Sequence, residues 1–506
     1  MVTATDSYDF IVVGAGTAGC VVAARLSEDN ATRVLLVEAG GATPLPASAE
    51  PPLWHTLLDT EANWGGIATT QAATGTNPRW ARGKGIGGSS AINAMMFVRG
   101  HKDSYDRWQQ FGAKGWTFDD LLPYFKRCET AAKRDPALRG MHGPLKVGPA
   151  KMPNPVLTAA WQAALDVGHP RASDVSGGVE VGFGHPDAAI VNGRRQSAGD
   201  AYLTDALKRP NLTFLADALV HRLQLENGRC TGIEYTTGTE RSVLTAAAGE
   251  VILAAGAIGS PQVLMRSGIG PQSHLRAVGI EVEADLPGVG SNLQDHPLTG
   301  VVYKAKLPVP QGRHNHGDFV GLVRTPAAET GAPDVQILPL DDPATAGLDI
   351  PNGYMIAVSA LQPYSRGTVR LTGPDPQAAP LVDPNYLADD RDMQTLLRGM
   401  SIARQIGNAA PLNPWRAEEL APGPQADNED ALRQFIRATT ASYFHYCGTC
   451  AMGDTPESVV DSTLRVHGID GLRVVDASVM PTIPSNNTMA SVYGLAERGA
   501  DLIRHG

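Results

Sequence analysis

A chain of 506 residues and 53.3 kDa is too long for one simple core, so two domains, in consecutive or interleaved segments, are expected. Its 42% hydrophobic and 19% charged residues are those of a soluble globular protein, with no apolar run near the ~18 residues that a membrane span needs. A formal charge of −10, a pI of about 5.7 and no long Lys/Arg run argue against a nucleic-acid surface.

The segment Met1 to Asp9 has no basic stretch followed by an apolar one, so a cytoplasmic protein is expected. Five cysteines at irregular spacing read as reduced thiols rather than a disulfide framework. Tyr8 to Val13 is apolar nearly throughout, as a strand covered on both faces should be. It runs into Gly14-Ala15-Gly16-Thr17-Ala18-Gly19 and then an apolar helix, the unit that receives a dinucleotide pyrophosphate. A second apolar strand, Arg33 to Val37, ends in Glu38, at the spacing from Gly19 at which a carboxylate reaches the hydroxyls of an adenosine ribose.

Gly40 to Pro78, with isolated Trp54 and Trp64, has no sustained period and reads as loop. Close-set glycines follow, from Gly83-Lys84-Gly85 to Gly87-Gly88-Ser89-Ser90, where backbone can approach a ligand before a helix expected to begin at the serines. Trp108, Trp116 and Phe125 read as core. The composition shifts toward Gly, Pro and Asp between Pro149 and His185, where a domain crossing is expected. Leu212 to Leu225, interrupted at Asp217, and Thr231 to Tyr235 read as strands of a β-meander, and Glu250 to Ala255 as a buried parallel strand. Ser260-Pro261 looks like a helix start and Gly268 its stop. Residues 297–440 alternate strands with Pro-rich turns, then turn helical from Arg391 to Ile406, which suggests a separate antiparallel-sheet domain. Within it, Gly312 to Asp318 reads as a polar surface loop. Residues 487–503 return to helix.

Taken together, these pieces resemble the glucose–methanol–choline (GMC) family of flavoprotein oxidoreductases, from Tyr8 to Ile503. Residues 83–97 and 256–270 match its two signatures, and Gly288 to His296 is similar to its turn into the substrate domain. Phe444-His445-Tyr446-Cys447-Gly448-Thr449-Cys450 and Asp476 to Asn487 complete the set in order. The resemblance implies a mixed α/β fold, with a Rossmann-like FAD-binding domain (residues 1–150, 190–296 and 441–506) and an inserted antiparallel-sheet substrate domain (151–189 and 297–440).

It further implies that Gly14, Gly16, Thr17 and Gly19 hold the pyrophosphate turn of FAD, and Glu38 the ribose. Lys84, Gly88, Ser89, Asn93, Ala94 and Met96 would run along the pyrophosphate and flavin, beside Trp64, with Val220 at the adenine. Asp476, Ala477, Thr488 and Met489 would lie near the ribityl chain and ring. Some family members link the flavin through a histidine just before the asparagine of the first signature. Ile92 stands there, so the FAD is expected to be non-covalent.

Removing the proton of an alcohol hydroxyl requires a base. Histidine suits the task because its ordinary pKa of ~6.5 leaves it largely neutral near pH 7. Of 13 histidines, His445 stands in the matched motif; Asn487, an amide, would orient the hydroxyl. Cys447 to Cys450 formally spells a thiol redox motif, read here as coincidence. The expected reaction is oxidation of a polyol, sugar, aryl or other alcohol to the carbonyl, with oxygen or another acceptor taking the electrons and no metal involved. A hydroxynitrile-lyase-type enzyme, or a protein keeping FAD without redox chemistry, is the alternative.

Overall fold

The computed structural model describes residues 7–237, 240–245 and 249–506. One sheet and its helices use, in chain order, β1 (Phe10–Val13), α1 (Thr17–Leu26), β2 (Val34–Val37), β3 (Leu212–Leu215), β4 (Glu250–Leu253), α2 (Gly256–Arg266), β5 (Leu472–Val474) and α3 (Met489–His505). The strands are all parallel, in the order β3-β2-β1-β4-β5. Cover by α1 and by the antiparallel strands Ala218–Glu226 and Arg229–Thr237 explains why β1, β2 and β4 read as unbroken apolar runs rather than as alternation: Ile11, Val12, Leu35, Leu36, Val251 and Ile252 are all fully buried. α1 and α3 pack together, and Glu497 of α3, fully buried, accepts a two-pronged bond from Arg25 of α1.

The second sheet is antiparallel, with strand order Arg416–Ala421, Pro297–Ala305, Gly353–Ala360, Val335–Leu340, Val320–Val323, Gly182–Gly184. The helix Asp390–Asn408 packs on one face through Leu396, Met400, Ala403 and Ile406. The short strand Ala441–Ser442 pairs with the start of Pro297–Ala305, so the segment leading to His445 is tied to this sheet by main-chain bonds. The chain therefore has the mixed α/β architecture anticipated from the sequence.

Several local expectations are corrected. Leu212–Leu215 leaves the meander and joins the parallel sheet as β3, because the chain reverses at Asp217, whose φ of 53° breaks the strand. The meander itself uses Ala218–Glu226, Arg229–Thr237 and Glu240–Thr245. Behind the first signature lies only a short 3₁₀ turn, Gly88–Ala91, in place of a helix, and Gly40 to Pro78 contains 3₁₀ turns at Pro46–Ala49 and Pro51–Asp59. The loop Gly312 to Asp318 is not a free surface turn: Asn315, His316 and Asp318 are buried, with His316 Nδ1 2.6 Å from Asp341 Oδ1.

α2 begins at Gly256, so Pro261 lies inside it. Proline has no N–H to give the carbonyl four residues back, that of Ala257. The Thr449 hydroxyl donates to that oxygen instead, at 2.6 Å. Thr449 thus repairs α2 from the far end of the chain.

Candidate active site

A cavity of about 1170 Å³ is lined from both sheets and from the N-terminal turn of α3. At its nucleotide end lie Gly14, Gly16, Thr17, Glu38, Gly88, Ser89 and Val220. Gly88 has φ 50°, and a Cβ there would lie 2.6 Å from Gly16 Cα, so the two glycine-rich turns touch backbone to backbone. Glu38 is buried, and its carboxylate accepts from the N–H groups of Ala15 (2.8 Å), Gly40 (2.9 Å) and Gly85 (2.9 Å). Burial pushes its pKa up while those three amides oppose the shift. Glu38 therefore clamps both glycine turns as well as facing the cavity.

Two of the expected cofactor residues stand outside the cavity lining. Gly19 does not line the cavity; a Cβ there would collide with the carbonyl oxygen of Gly14, so it serves the packing of α1 against the turn. Lys84 is also absent from the lining; its ammonium lies 4.8 Å from the centre of the ring of Trp64, which lines the cavity.

Toward the middle stand Ile92, Asn93, Ala94 and Met96 on one side and Asp476, Ala477, Thr488 and Met489 on another. The Asp476 carboxylate is spent on protein: it accepts from Gly256 N–H and Ser260 Oγ at the start of α2 and from Ser478 N–H. Asn93 Nδ2 donates to Met489 Sδ at 3.1 Å, tying the first signature to α3. Thr488 gives α3 no side-chain cap, so the positive end of that helix is presented to the cavity by its main-chain amides.

His445 and Asn487 come together where the parallel and antiparallel parts meet, with Asn487 Nδ2 3.1 Å from His445 Nε2. The protonation pattern follows from the partners. His296 Nε2 lies 3.2 Å from the Leu361 carbonyl oxygen, which only accepts, so Nε2 carries hydrogen. Burial holds the pKa of His296 down to about 3, so the ring is neutral and its Nδ1 is bare. His445 Nδ1, 2.9 Å away, must then donate to it. Burial first, then His296 and Arg82, hold His445 well below its ordinary pKa, so it too is neutral. Its Nε2 is left unprotonated, with its lone pair accepting from the Asn487 amide at 3.1 Å, the protonation form a base must have.

Four supports of this pair escaped the sequence reading. Asp295 accepts from the N–H groups of His445 (2.7 Å) and His296 (2.9 Å) and from the hydroxyls of Ser442 and Tyr386. It holds a turn in which Phe444 takes φ 62°, a conformation that costs on the order of 1–3 kcal/mol unless its surroundings fix it. Gln336 Nε2 donates to Asn486 Oδ1 (2.8 Å) and Asn487 Oδ1 (3.2 Å), which turns the Asn487 NH₂ toward His445. Tyr443 lies against His445, ring centres 4.3 Å apart, with its hydroxyl buried beside Asn487. Arg82 donates to the Phe444 carbonyl at 2.7 Å and covers the Tyr446 ring. His296 and Asp295 had been visible only as letters of a signature. Cys447 and Cys450 are buried, with thiol pKa values pushed up by burial, which fits no thiol-redox role.

Models of GMC oxidoreductases match residues 8–298 and 363–496. The chain belongs to the GMC oxidoreductase family. The GMC proteins it is similar to include human mitochondrial choline dehydrogenase, 38% identical over 99% of this chain and 90% of that protein. Oxygen-dependent choline dehydrogenase of Brucella anthropi is 36% identical over 98% and 95%. Among solved GMC structures, pyridoxine 4-oxidase from Mesorbium loti superposes with a TM-score of 0.94 at 35% identity, covering 99% of this chain and all (100%) of that one. GMC proteins are flavoenzymes acting on CH–OH donors, and the residues here fit FAD. Two touching glycine turns, an acidic strand tip and an uncapped helix terminus share this one cavity of about 1170 Å³.

Proposed function

We propose that this protein oxidises a primary or secondary alcohol to the corresponding carbonyl, using FAD held without a covalent link. Bound FAD supplies the hydride acceptor. The alcohol hydroxyl gives its proton to His445 Nε2, hydrogen leaves the adjacent carbon as hydride, and the C–O bond becomes C=O. The observation that carries this reading is the bare Nε2 of a neutral His445, fixed by His296 on one side and facing Asn487 on the other. Asn487 donates to the hydroxyl oxygen while the proton departs, and the open amides of α3 favour negative charge arriving nearby. Ile92, an aliphatic side chain in the lining, supports non-covalent attachment. The same proposal keeps residues 1–150, 190–296 and 441–506 for the cofactor, and 151–189 and 297–440 for the alcohol, a division supported by strand membership in the two sheets. Oxygen or another carrier reoxidises the flavin, a reading supported by the similarity to an oxygen-dependent dehydrogenase and an oxidase.

Anaerobic mixing of the yellow holoenzyme with a panel of alcohols tests the reading, since an oxidoreductase bleaches its flavin and a lyase of the same fold does not. His445→Ala should slow bleaching by ~10²–10⁴ while the protein stays yellow. Undiminished bleaching in that variant would remove His445 from the mechanism.

A further inference from the structure

The wall that the antiparallel sheet turns toward the cavity is apolar. Leu298, Val302, Leu338, Leu340 and Met355 all line it. Strand register places Val302 and Leu340 on either side of Met355, and Leu298 opposite Ala441, four residues before His445. These side chains form one apolar cluster that reaches Tyr443, whose ring lies against His445. The substrate carbon skeleton therefore rests against hydrocarbon.

Charge in the lining points the same way. Among the described residues lining the cavity, the carboxylates are Glu38, Asp59 and Asp476. Glu38 and Asp476 are held by backbone amides of the nucleotide end, and Asp59 is an exposed partner of Arg79 at 2.7 Å. Close to the base the lining carries positive charge instead: Arg82, bonded to the Phe444 carbonyl. The Asp295 carboxylate beside His445 is already taken up by the N–H groups of His445 and His296 and the hydroxyls of Ser442 and Tyr386, so a cation seated there would exchange water for hydrocarbon and face a guanidinium with no free carboxylate in the lining.

We propose that the substrate is an uncharged alcohol with an apolar carbon body, and that the site discriminates against quaternary-ammonium alcohols such as choline. This rests on the alcohol-oxidation reading and narrows it. It also separates this chain from the choline dehydrogenases that it resembles over nearly its full length.

The test compares choline with 3,3-dimethylbutan-1-ol, which has the same shape with carbon in place of the charged nitrogen. With wild-type holoenzyme, anaerobic flavin bleaching should give a kcat/KM at least ~100-fold higher for the neutral alcohol. Leu298→Glu, which places a carboxylate in the wall at the position nearest in register to the His445 segment, should move that ratio toward choline by ~10-fold or more. Equal or better bleaching by choline in the wild type would overturn the inference and leave alcohol oxidation standing. So would an unmoved ratio in a folded, yellow Leu298→Glu protein. If a wider panel of charged and neutral alcohols all fails to bleach the flavin, alcohol oxidation itself is wrong and the inference falls with it.

Discussion

The two ends of the cavity are made of different material. At the nucleotide end the contacts are main chain: glycine turns packed on each other, amides clamped by Glu38, the open terminus of α3. At the alcohol end they are side chains set in a lattice of long-range bonds, with His445 held by His296 and Asp295, and Asn487 by Gln336. A site built from backbone tolerates no added atom, whereas one built from side chains loses function by degrees. The difference is open to experiment.

The sharpest contrast should come from Gly88→Val. A branched side chain at φ 50°, with its Cβ 2.6 Å from Gly16 Cα, should abolish FAD retention and give colourless or insoluble protein. Normal yellow colour in that variant would dissolve the contrast. Next in size, His296→Leu removes the acceptor for His445 Nδ1–H. Losing a buried partner costs about 1–3 kcal/mol, or roughly 5- to 150-fold in kcat/KM, with the flavin spectrum unchanged. An unaltered kcat/KM would mean that His296 does not set the His445 tautomer. Gln336→Leu, one bond further from the chemistry, should cost about tenfold and act mainly by freeing the Asn487 amide. A rate equal to wild type would show that the amide needs no such hold.

The smallest effect is a displaced pH profile. Because its surroundings hold His445 below its ordinary value, it stays neutral as the pH falls, so kcat/KM should remain level through ~6.5 and drop only below it. The same shift has a stability sign. Below ~6.5 the unfolded chain takes up a proton that folded His445 refuses, so stability should fall with pH from there until the lowered folded pKa is reached. Thermal melts of the holoenzyme and an initial-rate series, both from pH 8 to 5, measure the two. A limb in kcat/KM centred above 6.5 would contradict the burial argument.

The glycine-turn end of the cavity was largely legible in the sequence because backbone geometry is written in glycines and apolar runs, and Gly14, Gly16 and Glu38 all line the cavity. His445 and Asn487 were legible through their motif. Gln336 was not, since every position of Val335–Leu340 is buried and no alternation marks one face from the other. The role of His296 depends on a contact 149 residues away in sequence, which no local pattern records. Gly312 to Asp318 misled for a related reason. Its composition is that of a wet loop, yet Asn154, Asp341 and the Pro52 carbonyl supply buried polar partners from distant segments. The contact of the Lys84 ammonium with Trp64, twenty positions earlier, is likewise one that no local pattern records.

On the ribosome, α2 is made long before the groups that complete it. The Ala257 carbonyl left open by Pro261 waits for Thr449, the first turn of the helix waits for Asp476, and the open edge of β4 waits for β5. A nascent chain through residue 440 would carry a nucleotide fold with an uncapped helix and an exposed strand edge. Premature termination should therefore yield a substrate for proteolysis rather than a smaller flavoprotein.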